Sequence, residues 1–234
     1  MKSLLIKISG ELLRSPEICE KLCKQIITLS QKLNIGLVIG GGNIFRARKE
    51  GEAYKLQQPI ADTIGMIATI ANGLIIYDTF LRLNRQSVIL SAIDINGITQ
   101  PISPLNIIKA KNNKNIIIFT GGTGNPFFTT DTNAIVRACQ IGAQTVIKLS
   151  TVDYIYDKDP AKYSNCTPIY HLTYDEMLSK GFTVVLDNTA ITLAKEHNIK
   201  IIFCNGTKDN ILNKIINRKE TKDKNKKYWS TISS

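Results

Sequence analysis

The residues from Gly121 to Thr132 run Gly-Gly-Thr-Gly-Asn-Pro-Phe-Phe-Thr-Thr-Asp-Thr, between an apolar run at Ile116 to Phe119 and a helically spaced run from Asn133 to Cys139. Glycines let backbone amides approach a ligand, and a helix N-terminus favours anions, so this junction is suited to a phosphate. Val38 to Arg46 repeats the idea with a triple glycine at Gly40 to Gly42 and a guanidinium at Arg46. Either glycine run could also be a plain turn. Two lysines, Lys7 and Lys148, each interrupt an otherwise apolar strand. A strand lysine can snorkel at a sheet edge, but two aimed at one mouth would repel unless an anion or a carboxylate lay between them, and Asp131 is the carboxylate to do so.

Phosphoryl transfer fits these groups. An acceptor that is already an ionised phosphate needs no general base, only cations to bring two anions together. Lys7, Lys148 and Arg46 provide them, with magnesium expected on the donor phosphates and water instead of in a protein cage. His171 and His197 are the two histidines, and both are expected to be packing or surface groups. The P-loop, dinucleotide GxGxxG, HExxH and GxSxG patterns are absent.

Alternating apolar runs and helical spacings define the elements that must hold these residues. Strands are expected at Leu4 to Ile8, Ile35 to Ile39, Ser87 to Leu90, Ile116 to Phe119, Thr145 to Leu149 and Lys200 to Cys204. Helices are expected at Pro16 to Leu33, from about Asn43, at Pro59 to Leu83 with a break near Asn72 and Gly73, at Ser103 to Asn112, Thr129 to Ile141, Thr173 to Lys180 and Thr189 to Glu196, and from Asp209. A hairpin-like region is expected around Tyr154, and Tyr228 to Ile232 can close the sheet edge. This alternation predicts an α/β fold, a three-layer α/β/α sandwich on a mainly parallel sheet, with residues 1–234 forming one domain.

Composition narrows the class further. A chain of 234 residues with 43% hydrophobic content can bury a continuous core. Asp62, Asn72 and Asp78 interrupt its most apolar stretch, and the N-terminus offers a strand in place of a signal peptide, so a soluble cytoplasmic protein without membrane association is expected. Five cysteines without a CxxC pair are expected to be free thiols. The net charge of +11 is spread along the chain without interleaved aromatics, which speaks for anionic small substrates and compositional drift and against nucleic acid. The basic run from Arg218 to Lys227 is expected to be a solvated loop.

With these residues in view, the sequence resembles the bacterial uridylate (UMP) kinases of the amino-acid kinase superfamily, with its carbamate kinase-like fold. The resemblance covers Leu4 to about Ile216 and rests on Lys7 to Glu11, Ile39 to Arg46, Ala61 to Met66 with Asn72 and Gly73, and most specifically the Gly122 to Asp131 run. It implies transfer of the γ-phosphoryl of ATP to UMP, giving UDP and ADP. It places Lys7, Ile8, Ser9, Gly10, Gly42, Arg46, Thr151, Tyr156 and Asp159 at ATP, and Gly41, Asp62, Thr123, Gly124, Asn125, Pro126, Phe127, Phe128, Thr129 and Thr130 at UMP, with Asp62 suited to ribose hydroxyls. Lys7, Arg46, Asp131, Lys148 and Asp187 form the implied catalytic set, although Asp187 reads equally well as a helix cap. A homohexamer built from dimers is implied. The chain departs from the family pattern in a short segment after Glu11, in Ala47 after Arg46 and in Tyr154, the last two standing where glycines are usual. Phosphorylation of an amino-acid carboxylate and nucleotide sensing without turnover are the competing readings.

Overall fold

The computed structural model describes residues 1–179, 185–217 and 228–234. It opens with strand β1 (Ser3–Ile8), a 3-10 turn (Gly10–Arg14), helix α1 (Pro16–Ser30) and strand β2 (Asn34–Ile39). α1 starts where it does because Ser15 Oγ accepts from the Ile18 N–H at 3.2 Å and Pro16 tolerates the first turn. Cys19, Leu22, Cys23, Ile26 and Leu29 then recur at helical spacing and bury one face. Truncating Leu22 or Ile26 there would cost about 2–5 kcal/mol.

Helices α2 (Ala47–Ala53) and α3 (Gln58–Arg82), strands β3 (Ser87–Ser91) and β4 (Gln100–Pro101), helix α4 (Pro104–Asn112), strand β5 (Ile116–Thr120), helix α5 (Thr130–Ile141) and strand β6 (Ala143–Ser150) follow. The remainder holds β7 (Ile155–Tyr156), β8 (Pro168–Ile169), β9 (His171–Thr173), α6 (Tyr174–Ser179), α7 (Asn188–Glu196), β10 (Lys200–Asn205), α8 (Ile211–Ile216) and β11 (Ser230–Ser233). Nine strands form one sheet in the order β4-β3-β5-β2-β1-β6-β10-β11-β9. Every pairing in it is parallel except β10 with β11. Both faces are covered: α1, α3 and α8 pack over Leu4, Ile6 and Ile8, while α4, α5, α6 and α7 pack over Leu5, Val38 and Val146. This is the expected three-layer sandwich.

The structure corrects several expectations. α3 runs unbroken through Asn72 and Gly73 for 25 residues, because both residues point at the sheet and serve packing instead of ending the helix. A Cβ at Gly73 would fall 2.4 Å from Thr120 Cγ2, so glycine is what lets α3 lie this close to β5. By length and composition α3 could cross a bilayer, yet it packs on β3, β5 and α1 as a covering helix. The helix expected from Asn43 starts at Ala47 instead; the Ile44 and Phe45 amides both donate to the Gly41 carbonyl, forming a turn first. α1 ends at Ser30, short of Leu33, and α8 starts at Ile211. The region around Tyr154 forms a two-stranded antiparallel pair, β7 with β8. Lys180, expected to end α6, and the basic run 218–227 lie outside the described residues. Both histidines are exposed, and all five cysteines are free.

Candidate active site

β1 and β6 are neighbours, and their register sets Lys7 directly opposite Lys148. Paired residues of adjacent strands project to the same face, so both lysines point to the side that α5 covers. They are only 9% and 8% exposed. Asp131, in the first turn of α5, lies between them, with Lys7 Nζ 3.0 Å from Oδ1 and Lys148 Nζ 2.6 Å from Oδ2. Lys148 also donates to the Val185 carbonyl. Burial pushes the Asp131 carboxyl up, but the charges and hydrogen bonds of Lys148 and Lys7 together outweigh it and hold the carboxyl at about 2. For Lys148, burial is the largest influence and lowers it to about 8, against the upward pull of Asp131.

The loops around this floor are tied by side chains that bond backbone. Gly10 packs so tightly under the β2 turn that a Cβ there would fall 2.2 Å from Asn43 Oδ1. Asn72, fully buried in α3, donates to the Gly40 carbonyl and to Asn43 Oδ1, both at 2.7 Å, and accepts from Asn43 Nδ2 at 3.2 Å. Gly121, Gly122 and Gly124 all take left-handed backbone angles, with φ of 73°, 58° and 83°. The Gly121 N–H donates to Thr69 Oγ1 of α3 at 2.9 Å.

Two cavities lie near this charged cluster, one lined by Lys148 and the other by Thr130, the sequence neighbour of Asp131. One, of about 670 Å³, is lined by Lys148, Thr151, Tyr154, Tyr156, Asp159 and neighbours. Tyr154 packs edge-on against Tyr156 and Tyr170, with ring centroids 6.1 and 5.4 Å away. The other, of about 660 Å³, is lined by Gly41, Gly42, Arg46, Asp62, Gly122, Phe128, Thr129, Thr130 and Asp187 among others. Thr129 caps α5, accepting from the Asp131 N–H at 3.0 Å, and its hydroxyl donates to Asp187. Asp187 in turn caps α7 through the Ala190 N–H at 2.9 Å and accepts from Thr132 Oγ1 at 2.7 Å, so one carboxylate ties two helix N-termini at the cavity wall. Asp187 is therefore both a helix cap and part of a cavity lining.

The expected residues divide between the two cavities and the loops around them. Gly42 and Arg46, expected with ATP, line the cavity that Gly41 and Asp62 also line, while Thr151, Tyr156 and Asp159 line the other. Arg46 Nη2 bonds Glu11 at 2.5 Å and its Nε donates to the Gly42 carbonyl at 3.1 Å. Glu11 also takes Arg14, and although burial raises its carboxyl, these two arginines bring it below its ordinary range. Ile8 buries its side chain in the core on the face opposite the lysines, and the Ser9 N–H donates to the Leu149 carbonyl at 3.1 Å. Thr123, Gly124, Asn125, Pro126 and Phe127 stand away from the cavity lining. Phe127 is 73% exposed with φ of 71°, and its N–H donates to Asp62 Oδ2 at 2.9 Å. Gln58 Nε2 holds the other Asp62 oxygen at 2.8 Å. Asn72, Thr69, Thr132 and Arg137 also do structural work here. Asn72, Thr69 and Thr132 carry a signal in the sequence, a polar side chain on the inward face of a helix, and Arg137 carries none.

Paired strand lysines with a carboxylate between them, one cavity lined by Lys148 and a second lined by Thr130 beside Asp131, suit two phosphorylated ligands. A sequence profile of the amino acid kinase family matches residues 2–205. The uridylate kinase of Colwellia psychrerythraea is 37% identical over 223 residues, covering 92% of this chain and 90% of that protein. The uridylate kinase of Haemophilus influenzae strain PittGG is 36% identical over 92% of this chain and 93% of its own. The crystal structure of UMP kinase from Ureaplasma parvum superposes with a TM-score of 0.89 at 32% identity, covering 100% of this chain and 99% of that one. UMP kinase from Bacillus anthracis gives 0.88 at 25% identity, over 99% and 96%. The chain belongs to the amino acid kinase family, in its uridylate kinase branch.

Proposed function

We propose that this chain, acting as a single kinase domain, transfers the γ-phosphoryl of ATP to UMP, giving ADP and UDP for pyrimidine nucleotide synthesis. One observation carries the proposal: Lys7 and Lys148, set opposite each other by strand register, share Asp131, with Lys148 lining one cavity and Thr130, next to Asp131, lining another. ATP occupies the cavity of Thr151, Tyr156 and Asp159, and UMP the cavity of Gly41, Asp62 and Thr130. A UMP phosphate oxygen attacks the γ-phosphorus, the bond from γ-phosphorus to the β-bridging oxygen breaks, and ADP leaves with that electron pair. The nucleophile is already ionised, so no proton is removed by the protein.

Lys7 and Lys148 neutralise charge on the transferring group, and Asp131 fixes their positions without touching it. The N-terminus of α5 adds a favourable dipole. Arg46, held by Glu11 and Gly42, meets the incoming phosphate at the second cavity's rim. Asp62 accepts from the ribose, and Asp187 sets the two helix ends. Among the described residues no cluster of three His, Cys, Asp or Glu side chains is present, and Asp131 is occupied by two lysines. This lining fits a magnesium ion that arrives on the ATP phosphates, where it supplies further charge neutralisation. Ile60, Ile67, Leu74, Ile75 and Leu81 form an exposed apolar face on α3, and it is there that copies of the chain meet in a homohexamer of dimers. A cytoplasmic location without membrane or nucleic-acid partners accords with this chemistry.

The test is a coupled ADP-release assay with ATP and magnesium, offering UMP, CMP, dUMP, acetylglutamate and aspartate in parallel. Selective turnover of UMP is expected. Turnover of an amino acid instead, or of no acceptor by protein that still binds nucleotide, would overturn the proposal.

A further inference from the structure

Arg137 on α5 is 5% exposed, yet its partners are all neutral. Its Nη1 donates to Gln140 Oε1 at 2.8 Å, its Nη2 to the Gly122 carbonyl at 3.2 Å, and its guanidinium carbon stands 5.9 Å from the centre of the Phe119 ring. Among the described residues its Nε has no hydrogen-bond partner. Burial alone lowers its pKa, to about 10, with no carboxylate pulling it back. A buried cation with no counter-charge is costly, and an apolar side chain of similar length would fill the same space without that cost. Its neighbours explain what the charge is for.

Gly122 lines the second cavity, and its left-handed φ of 58° belongs to the turn at the end of β5. Two buried side chains pin that turn: Thr69 takes the Gly121 N–H, and Arg137 takes the Gly122 carbonyl. Because the peptide is planar and trans, drawing the Gly122 carbonyl towards Arg137 turns the Thr123 N–H to the opposite side. A positive charge thus lies directly behind the cavity wall, linked to it by one hydrogen bond.

We propose that Arg137 is a positioning residue for the acceptor: through Gly122 it sets the glycine turn, and its buried charge is the counter-charge that the acceptor's phosphate dianion completes. This rests on the UMP kinase reading. Wild-type turnover of UMP is therefore measured first, and its failure would overturn that reading and this proposal with it, whereas the variants test Arg137 alone. Given turnover, dissociation constants for UMP and for uridine are measured on wild type, Arg137→Met and Arg137→Lys. The charge acts on the phosphate, so Arg137→Met weakens UMP binding about tenfold and leaves uridine binding within twofold, while Arg137→Lys recovers most of the loss. Equal weakening of both ligands, or no weakening of UMP, overturns the proposal. Arg137→Gln replaces the methionine variant if that does not fold; failure of both neutral variants to fold assigns Arg137 to folding and also overturns it.

Discussion

Replacing Asp131 with Asn keeps the shape of the side chain and removes the charge that two lysines share. Lys7 and Lys148 approach its oxygens to 3.0 and 2.6 Å in a site that excludes most water. Deleting one partner of a buried ion pair leaves charge uncompensated and costs about 3–5 kcal/mol. Part of that cost is relieved by deprotonation: Lys148 is already down at about 8, held up by Asp131, and without that charge it falls further, leaving Lys7 and Asp187 as its charged neighbours. A neutral Lys148 no longer stabilises the transferring phosphoryl, and losing one such group lowers kcat by roughly 100- to 1,000-fold. The readout is ADP release against pH. In the wild type kcat/KM for ATP should decline as pH rises through about 8, and in Asp131→Asn that decline should move to lower pH.

Stability carries the same signature. The Asp131 carboxyl is depressed from 3.8 to about 2, so its stabilising contribution is full above 3.8 and is lost as pH falls towards 2. Lys148 is depressed from 10.5 to about 8, so the penalty on its charged form is full below 8 and is relieved between 8 and 10.5. Wild-type kcat in Asp131→Asn, with the alkaline decline unmoved, would refute the reasoning.

Other substitutions separate roles that the geometry joins. Asp62→Asn should raise the KM for UMP about tenfold and leave the KM for ATP unchanged; equal KM values in variant and wild type would remove Asp62 from the acceptor site. Asn72→Leu leaves the Gly40 carbonyl and Asn43 unsatisfied, so unfolding free energy should fall by about 1–3 kcal/mol and kcat should fall with it; an unchanged urea midpoint would show that the brace carries no load. Asp187→Asn tests cap against site, because Asn caps about as well as Asp: stability should hold within about 0.5 kcal/mol. Its kcat should drop about tenfold from loss of charge beside the acceptor, and normal kcat would reduce Asp187 to a helix cap.

The strand lysines and glycine loops were legible in the sequence because their signals are local: a charge breaking an apolar run, a glycine run between two periodicities. Asp131 could be paired with them because two converging cations call for a negative charge between them, and Asp131 is a carboxylate at the adjoining loop. What the sequence hid depends on distant contacts. Asn72 and Gly73 look like a helix break until β5 and the β2 turn are set against them. The outward course of Asn125 to Phe127 follows from the bond between the Phe127 N–H and Asp62, 65 positions away in sequence. Arg46 could be read as a phosphate ligand because it follows a glycine turn, but its bond to Glu11, 35 positions away in sequence, was not visible there. Arg137 gave no sign at all, since a single arginine in an amphipathic helix reads as solvated.

The most direct test follows the phosphoryl group itself, using γ-labelled ATP, magnesium and UMP in a single turnover quenched with acid. Direct transfer between the two cavities predicts label in UDP at the rate at which ADP appears, with none on the protein and none released as inorganic phosphate. Label held covalently by the chain, or lost to water while UMP remains unchanged, would contradict it.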